Sequence, residues 1–138
     1  MSRSKPRVLF LCVHNSARSQ MAEGLLRAIA GERFDVFSAG SEPTRVHPLA
    51  VRTMHEQGID ISKQRSKSVD DFADERFDYV ITLCAEEVCP IFLNAEKKLH
   101  WSLPDPAAVD GSDEEKLEAF RGVTNELSNR LREFASEN

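Results

Sequence analysis

The 138-residue chain is 41% hydrophobic and 30% charged, with six Gly and six Pro, a balance that excludes a disordered chain, a collagen-like repeat and a disulfide-framework mini-protein. Its length predicts one domain, residues 1–138, able to bury a core without metal or disulfide staples. Net charge is −5, yet residues 1–70 carry 11 Lys/Arg against 7 Asp/Glu and residues 71–138 carry 7 against 16, so a positive half precedes a negative one. No basic run exceeds two residues, which argues against a nucleic-acid partner but leaves the first half able to attract a small anion. The longest apolar run, residues 8–13, is too short to span a bilayer, and the basic N-terminus lacks the apolar stretch of a signal peptide. No membrane partner and a cytoplasmic location are therefore expected. Three cysteines, an odd number, predict reactive thiols or buried fillers rather than a structural framework.

Residues 7–13, RVLFLCV, form a continuous run of strand formers, as expected of a strand buried on both faces of a parallel sheet. A polar loop, residues 14–17, follows. From Arg18 onward Met21, Leu25, Ala28 and Ile29 recur at helical spacing until Gly31 offers a stop. Strand, tight loop and helix in succession make half of a βαβ unit. Residues 34–39 read as a second strand before Gly40, and Pro48, Val51 and Met54 as a second helix ending at Gly58. Ile59 and Ile61 alternate, and a short polar helix or turn holds Val69 and Phe72. Residues 79–84, YVITLC, predict a third strand and residues 98–101 a fourth, after which Leu103-Pro104-Asp105-Pro106 is a loop held extended by two prolines. Ser112 with Glu115 reads as a capping box, opening a last helix whose stripe of Leu117, Phe120, Val123, Leu127, Leu131 and Phe134 is core. The pattern predicts an α/β fold, a small doubly wound four-stranded parallel sheet flanked by helices.

In such sheets ligands sit beyond the carboxyl ends of the strands, which is where the loop from Cys12 to Ser19 stands. The five residues between Cys12 and Arg18 can curl their backbone N–H groups around one tetrahedral oxyanion, while the following helix adds its positive end. Arg18 would close the ring with a bidentate guanidinium, and the same positive field favours the nucleophilic thiolate form of Cys12. The candidate substrate-binding residues are Cys12, Val13, His14, Asn15, Ser16, Ala17, Arg18 and Ser19. Asn15 suits a tight left-handed turn, and Ser19 a hydrogen bond to the sulfur, although either also fits an ordinary cap; by spacing alone Cys12 fits a core filler, a reading outweighed by the strand before it, the helix after it, Asn15 and the hydroxyls of Ser16 and Ser19. His14 is expected to offer its backbone N–H with its ring at the rim, His47 to open a helix and His55 to lie on the surface.

CVHNSARSQMAEG after a buried strand resembles the signature of arsenate reductases built on the low-molecular-weight protein tyrosine phosphatase fold, and the likeness continues through FSAG, IDIS, VITLC and HWSLPDPA over most of the chain. The Cys-x5-Arg-Ser loop is shared with the phosphatases. The continuation Gln20-Met21-Ala22-Glu23 and the added cysteines resemble the thioredoxin-coupled reductase branch. The resemblance implies a catalytic set of Cys12 as nucleophile, Arg18 as oxyanion clamp and Asp105 as the acid that protonates the leaving oxygen, although Asp-Pro is otherwise a common turn pair. It also implies a relay. Cys84 attacks the sulfur of a Cys12–arsenic adduct, arsenite leaves, and Cys89 then attacks Cys84 to leave a Cys84–Cys89 disulfide. No bound cofactor is expected; the electron donor is thioredoxin, or else glutaredoxin, glutathione or mycothiol, in a monomer that detoxifies arsenic. Cys-x4-Cys also falls within zinc-ligand spacing, but no second pair exists and no metal is expected.

The chain departs from the family pattern twice. Only four residues separate Cys84 from Cys89, and if residues 85–88 were a rigid helical turn the two Cα atoms would lie beyond the roughly 7 Å bridging limit, so closing the bond is expected to need local unfolding. Some relatives hold a potassium ion near the loop asparagine. Asn15, Glu23 and Ser38 match part of that site, but Arg65 and Lys67 stand where further ligands would, so a fixed ammonium in place of the ion and a plain solvated face are the two readings.

Two other functions fit the same residues. A phosphatase acting on aryl phosphates or phosphotyrosine needs Cys12 and water only; an aromatic rim would favour it, and none is evident around Asp105 and Ala107. An oxyanion-binding or redox-sensing module would bind without turnover.

Overall fold

The computed structural model describes residues 5–85 and 89–138. Four parallel strands, β1 (Arg7–Cys12), β2 (Asp35–Gly40), β3 (Phe77–Thr82) and β4 (Ala95–His100), form one sheet in the order β2-β1-β3-β4. Three helices, α1 (Arg18–Ala30), α2 (Pro48–Glu56) and α3 (Asp113–Glu137), complete it. The chain leaves the central β1 toward β2 and then returns to the other side for β3 and β4, so the strand order reverses beside β1. This is the doubly wound α/β architecture expected from the sequence, and its switch point is where such sheets hold their ligands.

Alternation along β1 sets the two faces of the core. Val8 and Phe10 point into a cluster with Met21, Leu25 and Leu26 of α1, Met54 of α2, and Phe120, Leu127 and Leu131 of α3. Leu9 and Leu11 point the other way, against Phe72, Phe77, Val80 and Phe92. Phe37, Phe72, Phe77 and Phe92 meet edge to face on that side, with centroids 5.5–5.9 Å apart. The short polar turn predicted around Val69 and Phe72 is a 3-10 turn, Val69–Phe72, opened by a Ser68 capping box.

The last helix follows its sequence signature: the Ser112 hydroxyl accepts from Glu115 N–H, and all six residues of the stripe are buried. β1 ends at Cys12, one residue before the expected bound, and β2 is displaced by one, Asp35–Gly40 for the expected 34–39; the other two strands differ more. β3 starts two residues early at Phe77, whose N–H donates to Asn94 O, and ends at Thr82. β4 begins at Ala95 because it is an edge strand: Glu96, Lys97 and Lys98 face solvent, so no apolar run marks it. Gly31 ends α1 without a left-handed residue, at φ −61°; the stop is a turn in which Arg33 and Phe34 N–H both donate to Ala30 O. Gly58, at φ +77°, is the left-handed exit expected after α2.

Candidate active site

Cys12 is the last residue of β1, buried, and opposite Gly40 across the sheet. The chain then turns sharply, with Asn15 at φ +48°, the single non-glycine left-handed residue among those described. Each loop carbonyl is taken from outside: Val13 O by Glu42 N–H, His14 O by Thr44 N–H and the Ser66 hydroxyl, Asn15 O by Gln20 Nε2, and Ser16 O by His47 N–H. In a trans peptide the N–H points opposite to the C=O, and no peptide in the described chain is cis. The N–H groups of His14, Asn15, Ser16 and Ala17 are thus turned inward, and none donates to an acceptor among the described residues. The concave face of the loop is an anion nest at the start of α1.

The sulfur of Cys12 lies 2.8 Å from the Ser19 hydroxyl, which accepts from Asn15 Nδ2 at 2.8 Å. With Asn15 supplying one proton to that oxygen, the hydroxyl hydrogen is left for the sulfur. Gly40 is required by this packing. A Cβ there would stand 2.4 Å from Val13 O and 2.8 Å from both Asn15 N and Cys12 O, all backbone atoms that cannot give way.

Three strand ends meet around Arg18, which is itself buried. Its Nη1 donates to Leu103 O at 3.0 Å and to Leu83 O at 3.4 Å, and its Nη2 stands 3.9 Å from Asp105 Oδ2. Asp105 caps the turn Pro106–Ala108 by accepting from Ala107 N–H at 2.9 Å, which fixes the carboxylate at the mouth of the site. A cavity of about 130 Å³ is lined by Cys12, His14, Ser16, Ala17, Arg18, Thr44, Asp105 and Ala107. No Phe, Tyr or Trp lines it among the described residues. His14 stands at the rim, its Nδ1 3.1 Å from Glu42 O.

Leu83 N–H donates to Leu11 O, which carries the β1–β3 pairing one residue past the strand and sets Cys84 into a cluster with Cys12 and Val13. Cys84 is bonded to Cys89, with Cα atoms 5.6 Å apart, while Cys12 is a free thiol. The short spacing therefore does not prevent the bond. The helical turn considered for residues 85–88 lies outside the described residues except for Ala85, which sits in a bend. Cys84 is 1% exposed, whereas Cys89 is only partly covered.

Sequence reasoning missed the residues that hold the loop from behind. Thr44, Ser66 and Gln64 are remote in sequence and carry no motif. Gln20 lies inside the signature segment, yet its task is visible only in three dimensions: Nε2 reaches Asn15 Oδ1, Asn15 O and Arg65 O, while Gln20 Oε1 accepts from Gln64 Nε2.

Residues 7–138 match the family described as low molecular weight phosphotyrosine protein phosphatase. The arsenate reductase of Halalkalibacterium halodurans is 45% identical over 134 residues, covering 96% of each chain. The chain belongs to the arsenate reductases of this phosphatase family. Among solved structures, an arsenate reductase in a phosphate-binding state is 38% identical with a TM-score of 0.80, covering 96% of this chain and 98% of that one. A thioredoxin-dependent arsenate reductase of Corynebacterium glutamicum is 35% identical with a TM-score of 0.67, covering 96% of this chain and 64% of that one.

The potassium site that the resemblance implies does not fit these residues. Ser38 donates to Glu23 Oε1 behind the loop, and the Lys67 ammonium faces that same oxygen at 3.5 Å and donates to Arg65 O at 2.6 Å. The position is filled by a charge of the same sign. Arg65 contributes its backbone carbonyl there.

Proposed function

We propose that the chain reduces arsenate to arsenite by passing a two-electron deficit along Cys12, Cys84 and Cys89. The observation that carries this reading is the disulfide between Cys84 and Cys89 beside a free, buried Cys12, the arrangement such a relay reaches once arsenite has gone.

Arsenate binds in the nest, held by the N–H groups of residues 14–17 and the Arg18 guanidinium. The Cys12 thiolate, its lone pair directed by Ser19, attacks arsenic; Asp105 protonates the departing oxygen, which leaves as water. Cys84 thiolate then attacks the Cys12 sulfur. The sulfur–arsenic bonding pair stays on arsenic, which leaves as arsenite, and a Cys12–Cys84 disulfide forms. Cys89 thiolate attacks Cys84, returns Cys12 to a thiolate and forms Cys84–Cys89. One arsenate consumes two thiol electrons, and one disulfide remains.

An external thiol can reach Cys89 but not Cys84, so reduction begins at Cys89 and releases Cys84 inward toward Cys12. A protein reductant of the thioredoxin class suits this end of the molecule. Ile91 and Leu93, 81% and 80% exposed, are the large apolar side chains left in solvent among the described residues, and both lie within four residues of Cys89. All five reacting and clamping groups come from one chain, so a monomer suffices, and a dithiol cycle of this kind belongs in the reducing cytoplasm. No helix among the described residues is long and apolar enough to cross a membrane.

The test is oxidation of NADPH in the presence of thioredoxin, thioredoxin reductase and arsenate. Turnover is expected for the wild type and its loss for C12S, C84S and C89S. Hydrolysis of an aryl phosphate that needs Cys12 alone, without arsenate turnover, would replace this reading with the phosphatase.

A further inference from the structure

Behind the catalytic loop a partly covered lysine pairs with a buried glutamate, an ion pair that the reaction itself does not use. Glu23 is 6% exposed and Lys67 17%. Glu23 Oε1 accepts from Ser38 Oγ at 2.5 Å and faces Lys67 Nζ at 3.5 Å, while Oε2 pairs with Arg27 at 2.9 Å. Lys67 Nζ also donates to Arg65 O at 2.6 Å. That same carbonyl accepts from Gln20 Nε2 at 2.7 Å, and Gln20 Nε2 lies 2.9 Å from Asn15 Oδ1. Lys67 closes the circuit with its own backbone, its N–H donating to Asn15 Oδ1 at 2.7 Å.

Burying a lysine is costly; desolvation pulls its proton affinity below the ordinary lysine range, and the Glu23 carboxylate opposes that pull. Such a pair persists where it fixes a geometry that an apolar pair would not. Here the fixed geometry is the left-handed Asn15 and, through it, the Ser19 hydroxyl on the Cys12 sulfur.

We propose that the Lys67 ammonium is a built-in cation, taking the place of a bound monovalent metal ion, and that it positions Asn15 and Ser19 for the Cys12 thiolate by holding the carbonyl of Arg65 and the carboxylate of Glu23. Lys67 is a positioning residue, since it touches neither substrate nor reacting atoms. The arrangement makes the chain indifferent to potassium. It also predicts that removing the ammonium leaves a space beside the Glu23 carboxylate and the Arg65 carbonyl, which potassium can enter.

The proposal rests on Cys12 as the reacting thiol, but its test does not need arsenate turnover. In the oxidised protein Cys12 is the free thiol, so its rate of alkylation by iodoacetamide reads the loop directly. Alkylation and thermal midpoint are compared in potassium chloride and choline chloride, each at about 0.15 M, for the wild type, K67M, K67A and K67R. The wild type should give the same values in both salts. K67A should alkylate about tenfold more slowly in choline, the size of one lost hydrogen bond to a charged group, and should regain rate and midpoint in potassium. K67M, whose side chain fills the space, should be slow in both salts. K67R should keep wild-type behaviour.

A wild type that gains midpoint or rate in potassium over choline would overturn the proposal, as would a K67A or K67M protein with wild-type alkylation in choline. If K67A fails to fold, the wild-type salt comparison and K67M decide. Arsenate turnover that is absent while these results hold would remove the reductase reading and leave the positioning role intact.

Discussion

Asn15 donates its side-chain amide to the Ser19 hydroxyl at 2.8 Å, and so leaves that hydroxyl one free proton, 2.8 Å from the Cys12 sulfur. The contact is local in sequence, yet it exists only because Asn15 is left-handed and is gripped through its Oδ1 by Gln20 and Lys67. S19A should retain the fold and lose about 1–2 kcal/mol of thiolate stabilisation, roughly a tenfold slowing of Cys12 chemistry. Stopped-flow reaction of the reduced protein with arsenate measures it; an unchanged rate would mean that Ser19 is only a packing residue.

Gly40 leaves no room for a side chain against the backbone of the loop. G40A should cost about 1–3 kcal/mol of stability, as overpacking does, and should weaken phosphate binding because Val13 and Asn15 must move. Urea denaturation and calorimetry with phosphate check both. A G40A protein of wild-type stability and affinity would refute the close approach.

His47 opens α2: its Nδ1 accepts from Leu49 N–H, its backbone N–H donates to Ser16 O, and its ring rests on Phe120 at 4.9 Å. Burial, and then the charge of Arg45, hold its imidazolium below the ordinary value of 6.5, with Asp105 opposing. The unfolded chain therefore takes up this proton first as the pH falls. Stability from neutral His47 is complete above about pH 6.5 and is lost as the pH drops through the lower folded value. The thermal midpoint of the wild type should fall in that window, and the fall should be smaller in H47N, whose side chain still caps the helix. An equal fall in both proteins would exclude His47.

Ile91 and Leu93 flank the partly covered Cys89 and lack any packing task in the described structure. I91S/L93S should raise the KM for thioredoxin about tenfold, on the scale of lost interface contacts, and leave turnover driven by dithiothreitol unchanged. Equal effects on both reductants would place these side chains in folding and not in docking.

Much of this site was legible in the chain. A run of strand formers ending in Cys12, a polar loop and a helix beginning at Arg18 fix a strand–loop–helix locally, and the parallel sheet then puts that loop at its functional edge. Asp105 was marked by the family resemblance; its two prolines alone read as an extended loop with a turn aspartate. What escaped depends on contacts distant in sequence: Thr44, which lines the cavity and donates its N–H to His14 O, Ser66 on His14 O, and Gln64 against Gln20 belong to chain without any periodic pattern. The start of β4 escaped for another reason, since an edge strand with one solvated face carries no apolar run. The spacing of Cys84 and Cys89 left their pairing conditional on the conformation of the chain between them. A helical turn would have kept them apart, but Ala85 is in a bend, and the Cα atoms lie at 5.6 Å.

The relay is tested most directly by a single turnover without any reductant. Fully reduced protein mixed with excess arsenate should release one arsenite per chain, and peptide mapping should then find Cys84 joined to Cys89 with Cys12 free; in C89S it should trap Cys12 joined to Cys84. Release of no arsenite, or a wild-type end state in which Cys12 stays in a disulfide, would contradict the account.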